Sequence, residues 1–271
     1  MQLIKPSFEI LEQGPGLDGI YKQIEKVGRT CYKSENLIKE GSAKPFVDRM
    51  IASKHYAMIE HGTIYLNIPI KFGHQPTIEE YLLNPHSRVG KNTVNHYWCI
   101  TTNLRVLVEN GWMEDLQYIC EPTEHHIRRV TVKFICDRGV SHEFVRHRVF
   151  SFAQESTRYC NYTKDKFGNE ITFIEPCWEM QEDEKELFIV CLENMENAYN
   201  ALISSGWTPQ QARAILPNSL KTELVMTGFV NDWEHFFDLR ARGTTGAPHP
   251  QAKELAEPLL TEFIKRGILS L

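Results

Sequence analysis

The stretch RHRVFSFAQESTRY, Arg146 to Tyr159, holds three arginines, a histidine, two serines, a glutamine and a glutamate within fourteen residues. Arginine carries a permanent charge and a planar fork of donors suited to phosphate. Ser156 can add a hydroxyl to the same anion, while Gln154 and Glu155 can read the edge of an amide-like ring. A site that grips a phosphate and hydrogen-bonds a heterocycle needs this mixture. The other reading of the composition alone is a basic helix end that runs into an exposed loop.

GVSHEFVRHR suits a helix that delivers Arg146, His147 and Arg148 near its C-terminal end, followed by a loop presenting Ser151 to Arg158. The segment before it, HIRRVTVKFICD from His126 to Asp137, alternates like a strand. N-terminal to these, residues 17–34 place Ile20, Ile24, Val27 and Cys31 at helical spacing. Residues 43–54 predict a second helix with Pro45 in its first turn. TIYLNIPI reads as a strand, PTIEEYLLNP as a short helix, HYWCI as a strand, and NLRVLVENGW as a helix ending at Gly111. C-terminal to the stretch come EITFIEP as a strand and a long helix from about Gln181 to Ser205. TPQQARAIL follows with Thr208 as N-cap and Pro209 at the first helical position. LKTELVMTGFV reads as a strand and NDWEHFFDLRAR as a helix capped by Asn231 or Asp232. A last helix runs from about Gln251 to Arg266. No internal repeat or Pro/Ser linker interrupts the chain. The expected fold class is therefore α+β, a mixed sheet with packed helices in a single domain.

The 271 residues suffice for one large core or two modest ones, and 42% hydrophobic with 24% charged residues is ordinary for a globular chain. A net charge of -5 argues against general attraction to nucleic acid, so the basic stretch is expected to serve a local anion. Seven scattered cysteines form no C-x-x-C pair and read as mostly buried thiols in a reducing compartment. No signal peptide or bilayer-long apolar run is visible, so the expectation is a cytoplasmic protein with no membrane partner. His55, Glu60 and His61 in HYAMIEH invite a metal reading. Their H-x4-E-H spacing differs from the H-E-x-x-H of a zinc helix, and no metal is expected.

The order RHR-x2-S-x2-QES-x-RY resembles the signature of flavin-dependent thymidylate synthases, with Ala153 where members often carry Asn or Ser. Members of that family methylate dUMP to dTMP, with methylenetetrahydrofolate as carbon donor, FAD as hydride carrier and NADPH as reductant. The resemblance extends to three other segments. In LRARGTTGAPHPQ, Arg240 matches the arginine that contacts and activates the pyrimidine, and His249 matches a later histidine across a longer loop. Taken alone, that segment is a helix end whose arginines favour the macrodipole. His235 stands where the family places an Asn against the flavin, and Asn231 lies one turn earlier on the same face. In QQARAILP, the R-x-x-L-P pattern matches Arg213 to a nucleotide-binding arginine; the alternative is a structural arginine paired with a carboxylate. HYAMIEH aligns with H-x-T-P-x-E-H, with Ala57 for Thr and Met58 for Pro, and His61 serves equally well as a packing residue. Glu143 replaces a glutamine three residues ahead of the signature and should face the base or ribose as an acceptor.

By resemblance, then, dUMP falls to Glu143, Arg146, Gln154, Glu155, Ser156, Arg158, Arg213 and Arg240, with Arg240 catalytic. FAD falls to His55, Ala57, Glu60, Arg146, His147, Arg148, Asn231, His235 and His249. The resemblance also implies a homotetramer with active sites shared between chains. Residues 64–128 exceed what compact members carry there and are expected to be an insertion, an extra strand pair with a helix. Methylation at C5 of uracil needs a nucleophilic carbon. The resemblance implies polarisation by Arg240 rather than thiol addition, although Cys160 beside Arg158 offers a thiolate alternative. Two other functional classes are a non-catalytic or different phosphonucleotide-binding protein, and RNA binding by stacking on Phe150, Phe152 and Tyr159. The acidic balance weighs against the last.

Overall fold

The computed structural model describes residues 1–71, 76–163 and 170–270. The strand that centres the fold is β9 (Lys221–Phe229), a nine-residue run in which all but the first residue are buried. It pairs antiparallel with β6 (Arg129–Asp137) on one side and β7 (Ser151–Gln154) on the other. β2 (Ser7–Leu11) adds antiparallel to β6, giving the order β2-β6-β9-β7. A separate parallel pair joins β1 (Gln2–Ile4) to β8 (Thr172–Ile174).

Alternation assigns the two faces of the four-stranded sheet. Leu224 and Met226, with Val132 and Phe134 opposite them, pack on Phe144, Trp233, Phe236, Leu259 and Phe263. Those residues come from α6 (Arg138–Phe144), α9 (Val230–Phe237) and α10 (Pro250–Lys265). The other face offers Val225 and Ala153, which cluster with Leu11 and with Val27 of α1 (Gly16–Thr30). Ile20 and Ile24, further round α1, join a second core with Phe46 and Val47 of α2 (Ala43–Ala52) and Ile59 of α3 (Tyr56–Ile59). The same core includes Ile64 and Leu66 of β3 (Thr63–Pro69). α1 is thus shared between two cores, which ties the N-terminal third to the main sheet.

Residues 64–128 build a three-stranded antiparallel sheet, β3-β5-β4, from β3, β4 (Arg88–Asn92) and β5 (Tyr97–Asn103). α4 (Pro76–Leu83) and α5 (Leu104–Asn110) accompany it. The sheet has a strand more than the expected pair. RVGKN lacks the β-branched alternation that marks a strand, and it pairs because Gly90 lets it run close to the carbonyl of His125, 2.0 Å from where a Cβ would sit. α5 starts on Asn103, whose side chain accepts from the Val106 N–H at 3.2 Å, and ends at Gly111 with φ 74°.

Several boundaries differ from expectation. α6 stops at Phe144, so Arg146, His147 and Arg148 lie in the turn beyond it rather than on its last turn. The expected loop after them is β7 over Ser151–Gln154, because Phe150 and Phe152 are drawn toward Trp233 and the core of the sheet. β6 begins at Arg129, three residues later than HIRR suggested. α9 begins at Val230, with Asp232 accepting from the Phe229 N–H at 3.2 Å, so neither Asn231 nor Asp232 is its cap. DLRAR is a π-helical turn, Asp238–Arg242, closed by Gly243 at φ 70°. α7 (Glu182–Ser204) agrees with the long acidic helix. α8 (Pro209–Ala212) tightens into a 3-10 turn at Arg213–Ile215 before Pro217.

Three of the seven thiols are buried, Cys31 and Cys120 are half-buried, and Cys177 and Cys191 are exposed; none is in a disulfide among the described residues. No helix among the described residues is long and apolar enough to cross a membrane.

Candidate functional site

The signature stretch lies along one edge of the four-stranded sheet, and its two ends gather different groups. At the first end, the π turn after α9 aims Arg240 back at the end of α6. Arg240 Nη1 donates to the Glu143 carboxylate at 2.9 Å, Nη2 to the Glu143 carbonyl at 2.8 Å and Nε to His147 Nε2 at 3.0 Å. The last bond requires His147 Nε2 to be the acceptor, so His147 is neutral with its proton on Nδ1. Its pKa agrees: burial and then the Arg240 charge press it down to about 4. Glu143, expected to face a base or ribose, instead clamps Arg240 and also pairs with Arg146 at 3.2 Å. Asn231 and His235 share the exposed face of α9, and the His235 ring lies 6.2 Å from that of His147.

At the other end, β7 runs into the turn that carries Ser156 to Arg158. The Ser156 N–H is held by the Cys31 carbonyl at 3.0 Å, at the C-terminus of α1. Arg158 Nε donates to the Gln210 side chain at 3.0 Å, and Arg213 Nη1 to the Thr157 hydroxyl at 3.2 Å. Tyr159 stacks between Arg158, 5.2 Å away, and Tyr32, 5.3 Å away. Arg158 and Arg213 are exposed, and neither has a carboxylate within ion-pair range among the described residues. The turn thus carries a serine hydroxyl and two guanidiniums without carboxylate partners, groups whose chemistry suits an anion.

Two expected ligand residues point elsewhere. Gln154 Nε2 donates inward to Ser141 at 2.9 Å and Thr222 at 3.2 Å. Glu155 is 2% exposed and paired with Lys221 at 2.8 Å. Alternation along β7 puts Glu155 on the α1 face, where Lys221 and Lys133 also hold Glu223, at 2.7 and 2.5 Å. Burial raises the Glu223 pKa, but Lys221, Lys33 and Lys133 more than reverse this and bring it down to about 2. This buried ionic group fixes the turn bearing Ser156, which is how Glu155 contributes. Cys160, the alternative thiol, is fully buried with Tyr162 and Tyr199 and is not open to a ligand.

In HYAMIEH, His55 and Ala57 are exposed at the start of α3, while Glu60 pairs with Arg105 of α5. His61 is fully buried, its Nδ1 2.7 Å from the Thr227 hydroxyl, and burial followed by the Arg129 charge lowers its pKa to about 3. It serves as a packing residue bridging α3 to β9. His249 stands apart from both ends, exposed at the start of α10 with its ring 5.9 Å from that of Trp178. No group of three or more His, Cys, Asp or Glu side chains suited to a metal is present among the described residues.

Sequence reasoning missed Arg88, Arg105 and Arg129. Arg129 sits at the head of β6, where a charge entering an apolar strand was the available signal. With Arg148 and Arg88 it lines a cavity of about 170 Å3 between β4, β7 and the start of α9. A larger cavity, about 730 Å3, lies between the 12–16 loop, β3 and the start of β6, and contains none of the residues expected from sequence.

The fold is α+β, and two distant arginine segments fold back onto the one signature edge. The sequence model of the thymidylate synthase complementing protein family matches residues 119–266, more than half of the chain, and the chain belongs to that family. It is similar to the flavin-dependent thymidylate synthase of Geobacter sulfurreducens, 32% identical over 103 residues, covering 38% of this chain and 43% of that protein. The Pyrococcus furiosus enzyme of the same name is 32% identical over 134 residues, 48% of this chain and 52% of its own length. The chain thus spans about half the length of the curated relatives it matches. Among solved structures, a UMP/dUMP methylase PolB from Streptomyces cacaoi bound with 5-Br dUMP covers 98% of this chain and 93% of its own, at 16% identity and a TM-score of 0.47.

Proposed function

We propose that the protein converts dUMP to dTMP by reductive methylation, with methylenetetrahydrofolate as carbon donor, FAD as hydride carrier and NADPH as reductant. One observation carries this reading. Arg213 and Arg240 lie 56 and 93 residues from their partners Thr157 and His147, yet both fold back onto the signature stretch. Each remote segment thus supplies an arginine to one end of the signature stretch, which supports a ligand-binding role for both ends.

Ser156, Arg158 and Arg213 take the nucleotide phosphate. Arg240, fixed by Glu143 and His147 on three of its donors, keeps two N–H groups for the pyrimidine. Its charge stabilises negative charge as it develops on the ring, and because its partners already hold it, little reorganisation is needed. Neutral His147 withholds a competing proton donor from that spot. Arg146, Arg148, Asn231, His235 and the exposed start of α3 fit the flavin, Arg148 having no carboxylate partner among the described residues. FAD, when bound, supplies the hydride that no side chain can carry.

The two ends of the signature stretch are separated by β7, whose four residues span about 13 Å along the strand. This separation supports a shared site in a homotetramer, in which the Ser156 end of one chain meets the Arg240 end of another. Residues 64–128, which build the separate three-stranded sheet, are proposed to be an insertion. The location proposed is the cytoplasm, with no nucleic-acid partner.

The test is dTMP formation by purified protein with all four components, together with the flavin absorbance of the protein. Mixing inactive Ser156→Ala/Arg158→Ala chains with inactive Arg240→Ala chains should restore activity after subunit exchange. A fully active monomer by light scattering overturns the shared site, and a protein that neither binds flavin nor forms dTMP overturns the reaction.

A further inference from the structure

Arg88, on β4, is outside every motif of the signature. Its guanidinium lies 4.5 Å from the centre of the Phe229 ring, and Arg129 approaches the same ring at 5.6 Å. Both line the cavity of about 170 Å3 that Arg148 also enters. Three cations therefore converge where the described lining holds a single carboxylate, Asp232. That carboxylate accepts from the Phe229 N–H at 3.2 Å and feels both Arg88 and Arg129, one negative charge against three positive ones. Among the described residues none of the three arginines has a carboxylate within ion-pair range, whereas Arg29, Arg105, Arg146, Arg240, Arg242 and Arg266 all do.

The protein satisfies these arginines poorly. Arg88 uses one terminal nitrogen, on the Pro85 and Ser87 carbonyls at 3.0 and 2.8 Å. Arg129 reaches the Glu60 carbonyl at 3.1 Å and the Thr63 and Ser151 hydroxyls at 3.4 Å each, and its Nε is buried without a partner. Burial brings the Arg129 pKa down to about 10, and the nearby Tyr65, Glu60 and Asp232 only partly offset it. The Arg148 side chain is exposed and makes no hydrogen bond in the described structure. Like charges gathered in a partly buried space repel, and a bound anion removes that cost.

We propose that this cavity binds a phosphate or diphosphate group and that the 64–128 segment supplies Arg88 to it. The volume admits such a group but not a whole dinucleotide, so the remainder of the ligand extends over the exposed edge beside Arg148 and Val149. Two sources share this chemistry, the diphosphate of a flavin dinucleotide and the phosphates of the reducing dinucleotide. Their assignment rests on the function proposed above; the anion site itself does not.

The experiment uses the full chain, freed of bound nucleotide in high salt and checked by absorbance, at fixed ionic strength. Inorganic pyrophosphate is titrated calorimetrically into wild type, Arg88→Gln, Arg148→Gln and Lys91→Gln. Lys91 lies on the same strand outside the cavity, with its ammonium 5.0 Å from the Trp98 ring, and controls for loss of charge. Wild type should bind saturably. Arg88→Gln and Arg148→Gln should each weaken binding at least tenfold, and Lys91→Gln should not change it. Because Arg148 is exposed, its variant reads the site even if Arg88→Gln perturbs the sheet. No binding by wild type, or equal losses in all three variants, overturns the site. Displacement of pyrophosphate by FAD assigns the cavity to the flavin, and displacement by NADPH alone assigns it to the reductant. Displacement by neither overturns the dinucleotide assignment. A chain that binds pyrophosphate in this pattern but never binds flavin sinks the proposed reaction and leaves the anion site standing.

Discussion

Replacing Arg240 with alanine removes three hydrogen bonds at once and tests the centre of the proposed mechanism. The side chain is 14% exposed and its partner Glu143 23%, so the pair is largely withdrawn from water. Loss of one preorganised electrostatic stabiliser raises a barrier by about 3 kcal/mol, about a hundredfold in rate. The flavin residues proposed on α9 and in the turn after α6 keep their backbone, so flavin absorbance should persist. A second readout comes from His147. Burial is the larger cause of its low pKa and Arg240 the next, so the variant's His147 should titrate above about 4 yet below its ordinary value. The assays are single-turnover dTMP formation at saturating dUMP, flavin absorbance, and an NMR titration of the histidines. Activity within a few-fold of wild type, with His147 shifted as stated, would falsify the assignment of Arg240 to the chemistry. An unshifted His147 would refute the geometry itself.

Arg158→Ala should raise the dUMP concentration needed for half-maximal rate by at least tenfold and Ser156→Ala by less, because a charge-assisted contact to phosphate outweighs a neutral hydroxyl; equal effects on the two would point away from phosphate. A nucleotide found covalently attached to Ser156 or Cys160 in a trapped turnover mixture would contradict the non-covalent reading. Gly90→Ala would put a methyl 2.0 Å from the His125 carbonyl, and the forced shift should cost about 3 kcal/mol in urea unfolding, with little change in the main sheet by circular dichroism. Stability should fall as pH drops below about 6.5, since His147 and His61 bind protons in the unfolded chain but resist them when folded, down to about 4 and 3 respectively. The His147 share of that loss is on the order of 3 kcal/mol, complete near its folded pKa. A flat profile between pH 7 and 4.5 would remove the argument, and His147→Gln should flatten part of it.

Most helices and the strands β3, β5, β6, β8 and β9 were legible along the chain, because apolar spacing and caps are local. The order of residue types around Ser156 and Arg158 is unusual enough to stand out of a single chain, whereas Arg213 and Arg240 became candidates only through the family resemblance. The sequence could not say that Glu143 closes on Arg240, since the two lie 97 residues apart and are joined only when the π turn after α9 packs on the end of α6. Nor could it separate Glu155 from its neighbours. Strand alternation along β7, invisible while the stretch read as a loop, turns Glu155 toward Lys221 and carries Ser156 out past the end of the strand. β4 escaped because RVGKN has weak strand character and gains its ladder only from β5. Arg88 and Arg129 escaped with it. Each is an ordinary basic residue in its own segment, and only the packing of the small sheet against the edge of the large one brings them onto the same ring and into the same cavity. Local chemistry is written along the chain, whereas convergence of charge is a property of distances that folding alone sets.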